Sequence, residues 1–198
     1  PYDLMAQPQY KSITDLKGTM IASTAPNNII TIFTDRLLQN AGLRRDEYDY
    51  IYSGGNNERY AALKSGGVAA ALLSDPGNFL AEAEGFVALG NSAEVFPKIS
   101  FDSFWVNTNW SEKNRDVLVQ FLKAMIKAQH WVYDPANKNE VIELLLKEDP
   151  NTTPEIAEKS YRVKIVDYEI FTKNGDVDPE AMDVVLDINT QLGNFEGE

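Results

Sequence analysis

Three short polar segments carry the residues best suited to chemistry: Thr24-Ala25-Pro26-Asn27-Asn28, Ser53-Gly54-Gly55-Asn56-Asn57 and Ser74-Asp75-Pro76-Gly77-Asn78. Each combines small hydroxyl or amide side chains with glycine or proline, and each precedes a run of helical periodicity. Backbone N–H groups at helix starts, aided by the helix dipole, bind carboxylate, sulfonate or phosphate groups. Thr24, Ala25, Asn27, Asn28, Ser53, Gly54, Gly55, Asn56, Ser74 and Asp75 are therefore the candidate ligand-binding residues. The same residue types are also ordinary helix caps and turn formers, so capping and ligand contact are both open at each position. Asp75 could pair with a cationic ligand group or cap the helix that follows. Arg59, one turn into the second helix, could reach an anion or form a surface ion pair of little weight.

Catalytic patterns are absent. The chain has no cysteine, which removes disulfides, thiolate metal sites and cysteine nucleophiles together. Its one histidine, His130, has no evident serine partner and falls on a helix flank, so no catalytic residue, metal site or cofactor is expected. Gly54-Gly55 does not complete G-x-G-x-x-G, no lysine follows a glycine run as in a P-loop, and no G-x-S-x-G elbow occurs. Asn109-Trp110-Ser111 and Asn151-Thr152-Thr153 match the glycosylation pattern but read better as helix starts.

The elements that must position the three loops follow from periodicity. Met20–Thr24, Tyr48–Tyr52, Val68–Leu73 and Phe86–Leu89 are β-rich runs, and between them Ile29–Ala41, Glu58–Ser65 and Asn78–Glu84 have helical spacing. Gly42 and Gly66 stand where helix C-caps belong. This alternation predicts an open, mostly parallel α/β sheet, whose ligands bind beyond the carboxyl ends of the strands. All three polar loops fall on that edge.

Beyond a last predicted strand at Ser103–Val106 the pattern becomes helical. Ser111 should cap a helix to about Tyr133, with Trp131 on its core side. Asn137 and Glu140 form a capping-box-like start for a second helix. Thr153-Pro154-Glu155 opens a third, and Asp178-Pro179-Glu180 a fourth that ends at Gly193.

With 198 residues, 43% of them apolar, the chain can bury a sizeable core. The net charge of −12 argues against nucleic acid as the partner. It is uneven: residues 1–99 hold 8 Lys/Arg against 11 Asp/Glu, and residues 100–198 hold 10 against 19. Acidic, solvated helix faces in the second half account for the difference. No apolar window reaches the length of a membrane span, and Pro1-Tyr2-Asp3-Leu4 shows no charged start leading into an apolar run.

The order of motifs resembles a known family. Ser12-Ile13-Thr14-Asp15-Leu16-Lys17-Gly18, followed by the MIAST strand, is similar to the "I-x-D-L-K-G-K" entry to the second lobe of ABC-transporter solute-binding proteins. The likeness is to the nitrate/sulfonate/taurine group, which also holds the NMT1-like and THI5-like thiamine-precursor proteins. Ala61-Ala62-Leu63-Lys64-Ser65-Gly66 through Ala70-Ala71-Leu72-Leu73-Ser74-Asp75-Pro76 resembles that group's "A-A-L-x-S-G-x-V-D-A-A-x-x-x-x-P" stretch, with alanine where the family has aspartate. Phe121-Leu122-Lys123-Ala124, Ala128, Trp131 and Asp134-Pro135-Ala136-Asn137 resemble its "F-L-x-A-x-x-x-A-x-x-W-x-x-D-P-x-N" helix.

The resemblance implies a periplasmic-binding-protein fold of the second type, in the periplasm or elsewhere outside the cytoplasm. It implies capture of a small molecule for an ABC permease, without catalysis. It places the family's ligand loops on Thr24, Ala25 and Asn28, on Gly54–Asn56, and on Ser74-Asp75, with Tyr2–Met5 and Ser103–Val106 as lobe-to-lobe crossings. Residues 1–103 would be the second lobe, and residues 104–198 a crossover strand and helices that complete the first. Only fourteen residues precede Asp15-Leu16-Lys17-Gly18, where the family has most of a βαβα lobe, so the chain reads as a fragment whose helices expose apolar stripes open to self-association. The effector domain of LysR-type regulators shares the fold and opens with a first-lobe strand and helix instead. Thiamine-pyrimidine enzymes of the same superfamily rely on histidine and a cysteine-rich motif.

Overall fold

The computed structural model describes residues 1–149 and 152–194. They form two compact units, Pro1–Pro97 and Lys98–Glu198.

The first unit is an α/β layer around a five-stranded sheet. Its strands are β1 (Asp3–Ala6), β2 (Met20–Ser23), β3 (Asp49–Tyr52), β4 (Ala70–Leu73) and β5 (Val87–Asn91), in the order β3-β2-β4-β1-β5. β2 pairs in parallel with β3 and with β4. β1 runs antiparallel to both its neighbours, Asp3 standing opposite Leu73 on one side and Asn91 on the other. The mostly parallel sheet expected from the alternation is present, with β1 as its one reversed member. The last strand lies one to two residues later than the run Phe86–Leu89.

β4 is buried along its whole length, as a continuous apolar run at a sheet centre should be. Met5, Ala22, Leu63, Val68, Ala71, Leu73 and Ala81 form one contiguous core cluster. Each fully buried leucine there is worth roughly 1.5–3 kcal/mol relative to an exposed one.

Three helices connect the strands: α1 (Ile29–Asn40), α2 (Asn56–Lys64) and α3 (Gly77–Ala83). α1 turns Ile30, Phe33 and Leu37 inward, at three- and four-residue spacing, with Leu38 beside them. Gly42 and Gly66, just past α1 and α2, take φ values of +94° and +76°, the left-handed conformation that a C-terminal glycine permits.

The second unit is helical: α4 (Thr108–Lys113), α5 (Arg115–Tyr133), α6 (Lys138–Glu148), α7 (Pro154–Tyr161) and α8 (Pro179–Gln191), with a π-helical turn over Arg162–Asp167. Thr153 caps α7 and Asp178 caps α8, each followed by proline at the first helical position, as the sequence predicts. Gly193, just past α8, has φ +69°.

Three expectations need correction here. Ser103–Val106 forms no strand; no other strand is present among the described residues of this unit to pair with it. The long helix does not start at Ser111, because α4 begins at Thr108 under an Asn107 cap and breaks at Asn114 before α5. The Asn137 capping box is absent: Asp134 caps a short 3-10 turn, and the Asn137 amide donates to the Trp131 carbonyl at 2.9 Å. Asn109 lies in the first turn of α4, as a helix start should, and Asn151, the other glycosylation-pattern asparagine, lies outside the described residues.

Val141, Tyr161 and Ile165 make a small core, on which Trp131 packs partly buried. By contrast Phe104, Trp105, Val117, Phe121 and Leu122 are exposed, Trp105 at 80%.

Candidate ligand-binding site

β2, β3 and β4 are adjacent and parallel, so Ser23, Tyr52 and Leu73 end on one edge and their following loops lie side by side. The Ser53 N–H donates to the Ser23 carbonyl at 3.0 Å and ties the first two loops together.

In the first loop, Asn28 caps α1 through the Ile30 N–H at 3.0 Å. The Thr31 hydroxyl lies 2.6 Å from Ser23 Oγ and 2.7 Å from the Ala25 carbonyl, which anchors the loop from beneath. Asn27 takes φ +56°, a left-handed conformation that asparagine tolerates better than most residues. In the second loop Gly54 has φ +100°, and Gly55 stands at the N-cap of α2, supplying backbone without a side-chain cap. In the third, the N-cap position of α3 falls on Pro76, not on Asp75 as the capping reading expects.

The loops are joined by Arg59, which the sequence left open between reaching an anion and forming a surface ion pair. Arg59 is only 3% exposed, not at the surface. Its Nε donates to the Leu72 carbonyl at 2.9 Å, and its Nη1 to Thr24 Oγ1 and to the Gly54 carbonyl, both at 2.8 Å. Its Nη2 reaches Asn56 Oδ1 at a long 3.5 Å. Asn56 in turn binds Ser74 through both its N–H and its carbonyl. Burial pulls the Arg59 guanidinium below its ordinary value, with nearby Tyr2 and Glu58 pushing the other way. Among the described residues it makes no ion pair. The available signal was spacing: Arg59 stands four residues before Leu63, on the face that α2 turns to the sheet.

β1 adds a second group that sequence did not reveal. Because β1 is reversed, it starts at the same edge. The Asp3 carboxylate there accepts from the Asn78 amide at 2.6 Å and from the Asn91 amide at 2.6 Å. Ser53 Oγ and Asn78 Oδ1 are buried without a hydrogen-bond partner, so the edge holds two unsatisfied polar atoms. The ten predicted residues are thus gathered along one edge, and Arg59 and Asp3 join them.

A separate open groove of about 400 Å³ lies at the opposite, amino edge, between Gln7 and Gly66–Ala69, and none of the ten residues line it. No group of three or more metal-ligating side chains occurs among the described residues. No described helix is long and apolar enough to cross a membrane.

The model of the NMT1-like family matches residues 3–146. The chain belongs to that family. No curated protein matches it. Among solved structures, the alkanesulfonate-binding protein SsuA from Xanthomonas axonopodis pv. citri, bound to MOPS, superposes with a TM-score of 0.73 at 16% identity, covering 97% of this chain and 64% of that one. The periplasmic aliphatic sulphonate-binding protein SsuA from Escherichia coli gives 0.72 at 18% identity, covering 98% and 60%. The ligand-binding component of an ABC-type import system from Staphylococcus aureus, with zinc bound, gives 0.73 at 13%, covering 100% and 65%. These likenesses establish the NMT1-like family member's fold as that of the periplasmic solute-binding proteins. The chain spans about three fifths of the length of those structures.

Proposed function

We propose that this NMT1-like chain serves in an extracytoplasmic solute-binding component of an ABC importer and holds a small anionic organic molecule at the carboxyl edge of its sheet. The observation that carries this reading is the convergence of three polar loops, and the amino ends of α1 and α2, on one edge above a buried guanidinium with no carboxylate partner. Aligned helix N–H groups and a buried cation both favour negative charge. The named activities of the SsuA structures support the same assignment, and a permease is the partner that receives the ligand. Thr24, Ala25, Asn27, Asn28, Ser53, Gly54, Gly55, Asn56, Ser74 and Asp75 line the ligand. The role is binding without catalysis.

Thermal-shift titration of the full-length protein against sulfonates, carboxylates, nitrate and pyrimidines tests this. A true ligand at a hundred times its Kd stabilises by about 2.7 kcal/mol, so the melting point should climb with dose. A response to polyamines or other cations, with none to any anion, overturns the anionic assignment.

A further inference from the structure

We propose that Arg59 is a positioning residue that fastens the three loops into one preorganised surface, and that its charge, which no carboxylate contacts, selects a monoanionic head group over a neutral one of the same shape. The charge half rests on the anion-binding reading above; the fastening half does not.

The geometry is specific to a guanidinium. From a position inside α2, one planar fork reaches the end of β4 at the Leu72 carbonyl, the first loop at Thr24 Oγ1 and the second loop at the Gly54 carbonyl. The third loop is held at one remove, because Asn56 clasps Ser74 while its Oδ1 faces the same guanidinium. A lysine ammonium on a flexible stem cannot span those acceptors together. Its hydrogen-bond partners are all neutral oxygens, so no carboxylate touches the guanidinium directly. Leaving a buried charge without a counter-ion is costly, and a bound anion would offset that cost.

Two measurements on the full-length protein separate the halves. In amide hydrogen exchange, Arg59→Met should speed exchange at the Ser53 and Ser74 N–H groups by about tenfold or more. The Ala69 and Asp49 N–H groups, bonded at the opposite edge of the sheet, should keep their protection. Equal loss at both edges would reduce Arg59 to a general stabiliser, and no loss at Ser53 and Ser74 would remove the brace; either result overturns the fastening role.

In calorimetric titration the probes are methanesulfonate and its neutral isostere dimethyl sulfone. The wild type should prefer the anion by roughly thirtyfold, and Arg59→Met should cut that preference to about threefold or less. Arg59→Lys should keep the preference while weakening both probes by about tenfold, because it restores charge but not the fork. An unchanged preference in Arg59→Met overturns the charge role alone. A wild type with no preference for the anion overturns the charge role together with the anion-binding reading, and leaves the exchange result to stand or fall separately.

Discussion

The Asn56 side chain clasps the backbone of Ser74 from both sides, accepting its N–H at 2.9 Å and donating to its carbonyl at 3.2 Å. Gly77 makes room for that clasp: a methyl group there would sit 2.7 Å from Asn56 Nδ2. Gly77→Ala should therefore push the amide off Ser74 and cost about 1–3 kcal/mol in a urea titration, the penalty of leaving buried polar groups unmet. A second residue-scale device lies behind α1, where the Tyr48 and Tyr50 hydroxyls donate to Asp35 Oδ1 at 2.6 and 2.8 Å and Arg45 stacks on both rings. Burial, followed by the Asp35 carboxylate, holds both phenols above the ordinary tyrosine range. A group with its folded pKa raised contributes stability that is complete below the unfolded value and fades as pH rises past it. Unfolding free energy should thus fall above pH of about 10, and Tyr50→Phe should flatten that decline. Urea midpoints measured at rising pH would show it, and a profile as steep in the variant would refute the assignment. Residues of this kind are poorly legible in sequence. The small loop residues betray themselves by type, whereas Arg59 looks like any helix-surface arginine until chain far from it in sequence closes over it.

At the scale of elements, local signals served best where an element satisfies itself. Thr153 and Asp178 cap their helices because the cap, the proline and the first turn are contiguous. Asp178→Ala releases the Glu180 and Ala181 N–H groups and should cost about 1 kcal/mol, read by helix melting in circular dichroism. Ser103–Val106 shows the opposite case. Its aromatic and β-branched residues suit a strand, but a strand needs a neighbour, and its unit offers none among the described residues. The result is an exposed Phe104 and Trp105 near an α5 face that also exposes Val117, Phe121 and Leu122. Apolar clusters of this kind drive association. The 198-residue chain should show a concentration-dependent sedimentation coefficient, and the double change Trp105→Ser with Phe121→Ser should abolish the dependence; a strictly monomeric parent would contradict this. β1 was not legible as a strand, Tyr2–Met5 being marked only as a crossing by the family resemblance, because both its partners lie about seventy and ninety residues away.

The molecule as a whole carries a net charge of −12, yet its proposed ligand is an anion. Long-range repulsion and local attraction then oppose each other, and only the first is strongly screened by salt. Association with methanesulfonate should quicken between about 10 and 150 mM ionic strength, where the screening length falls from about 30 to 8 Å. Stopped-flow rates that fall instead would mean that the positive field of the edge outreaches the bulk charge. Sequence made the parallel α/β plan and the gathering of polar loops at its carboxyl edge legible, since alternation and loop composition are local. The reversed strand depends on pairings across the whole unit and was not. That strand has a consequence for how the sheet comes together. β5 touches the sheet only through β1, so Asp3–Ala6 must wait, unpaired on both sides, until β4 and then β5 have been made. β1 thus joins the sheet after β4, which follows it by more than sixty residues, and loss of Asp3–Ala6 would cast off a strand some eighty residues further along.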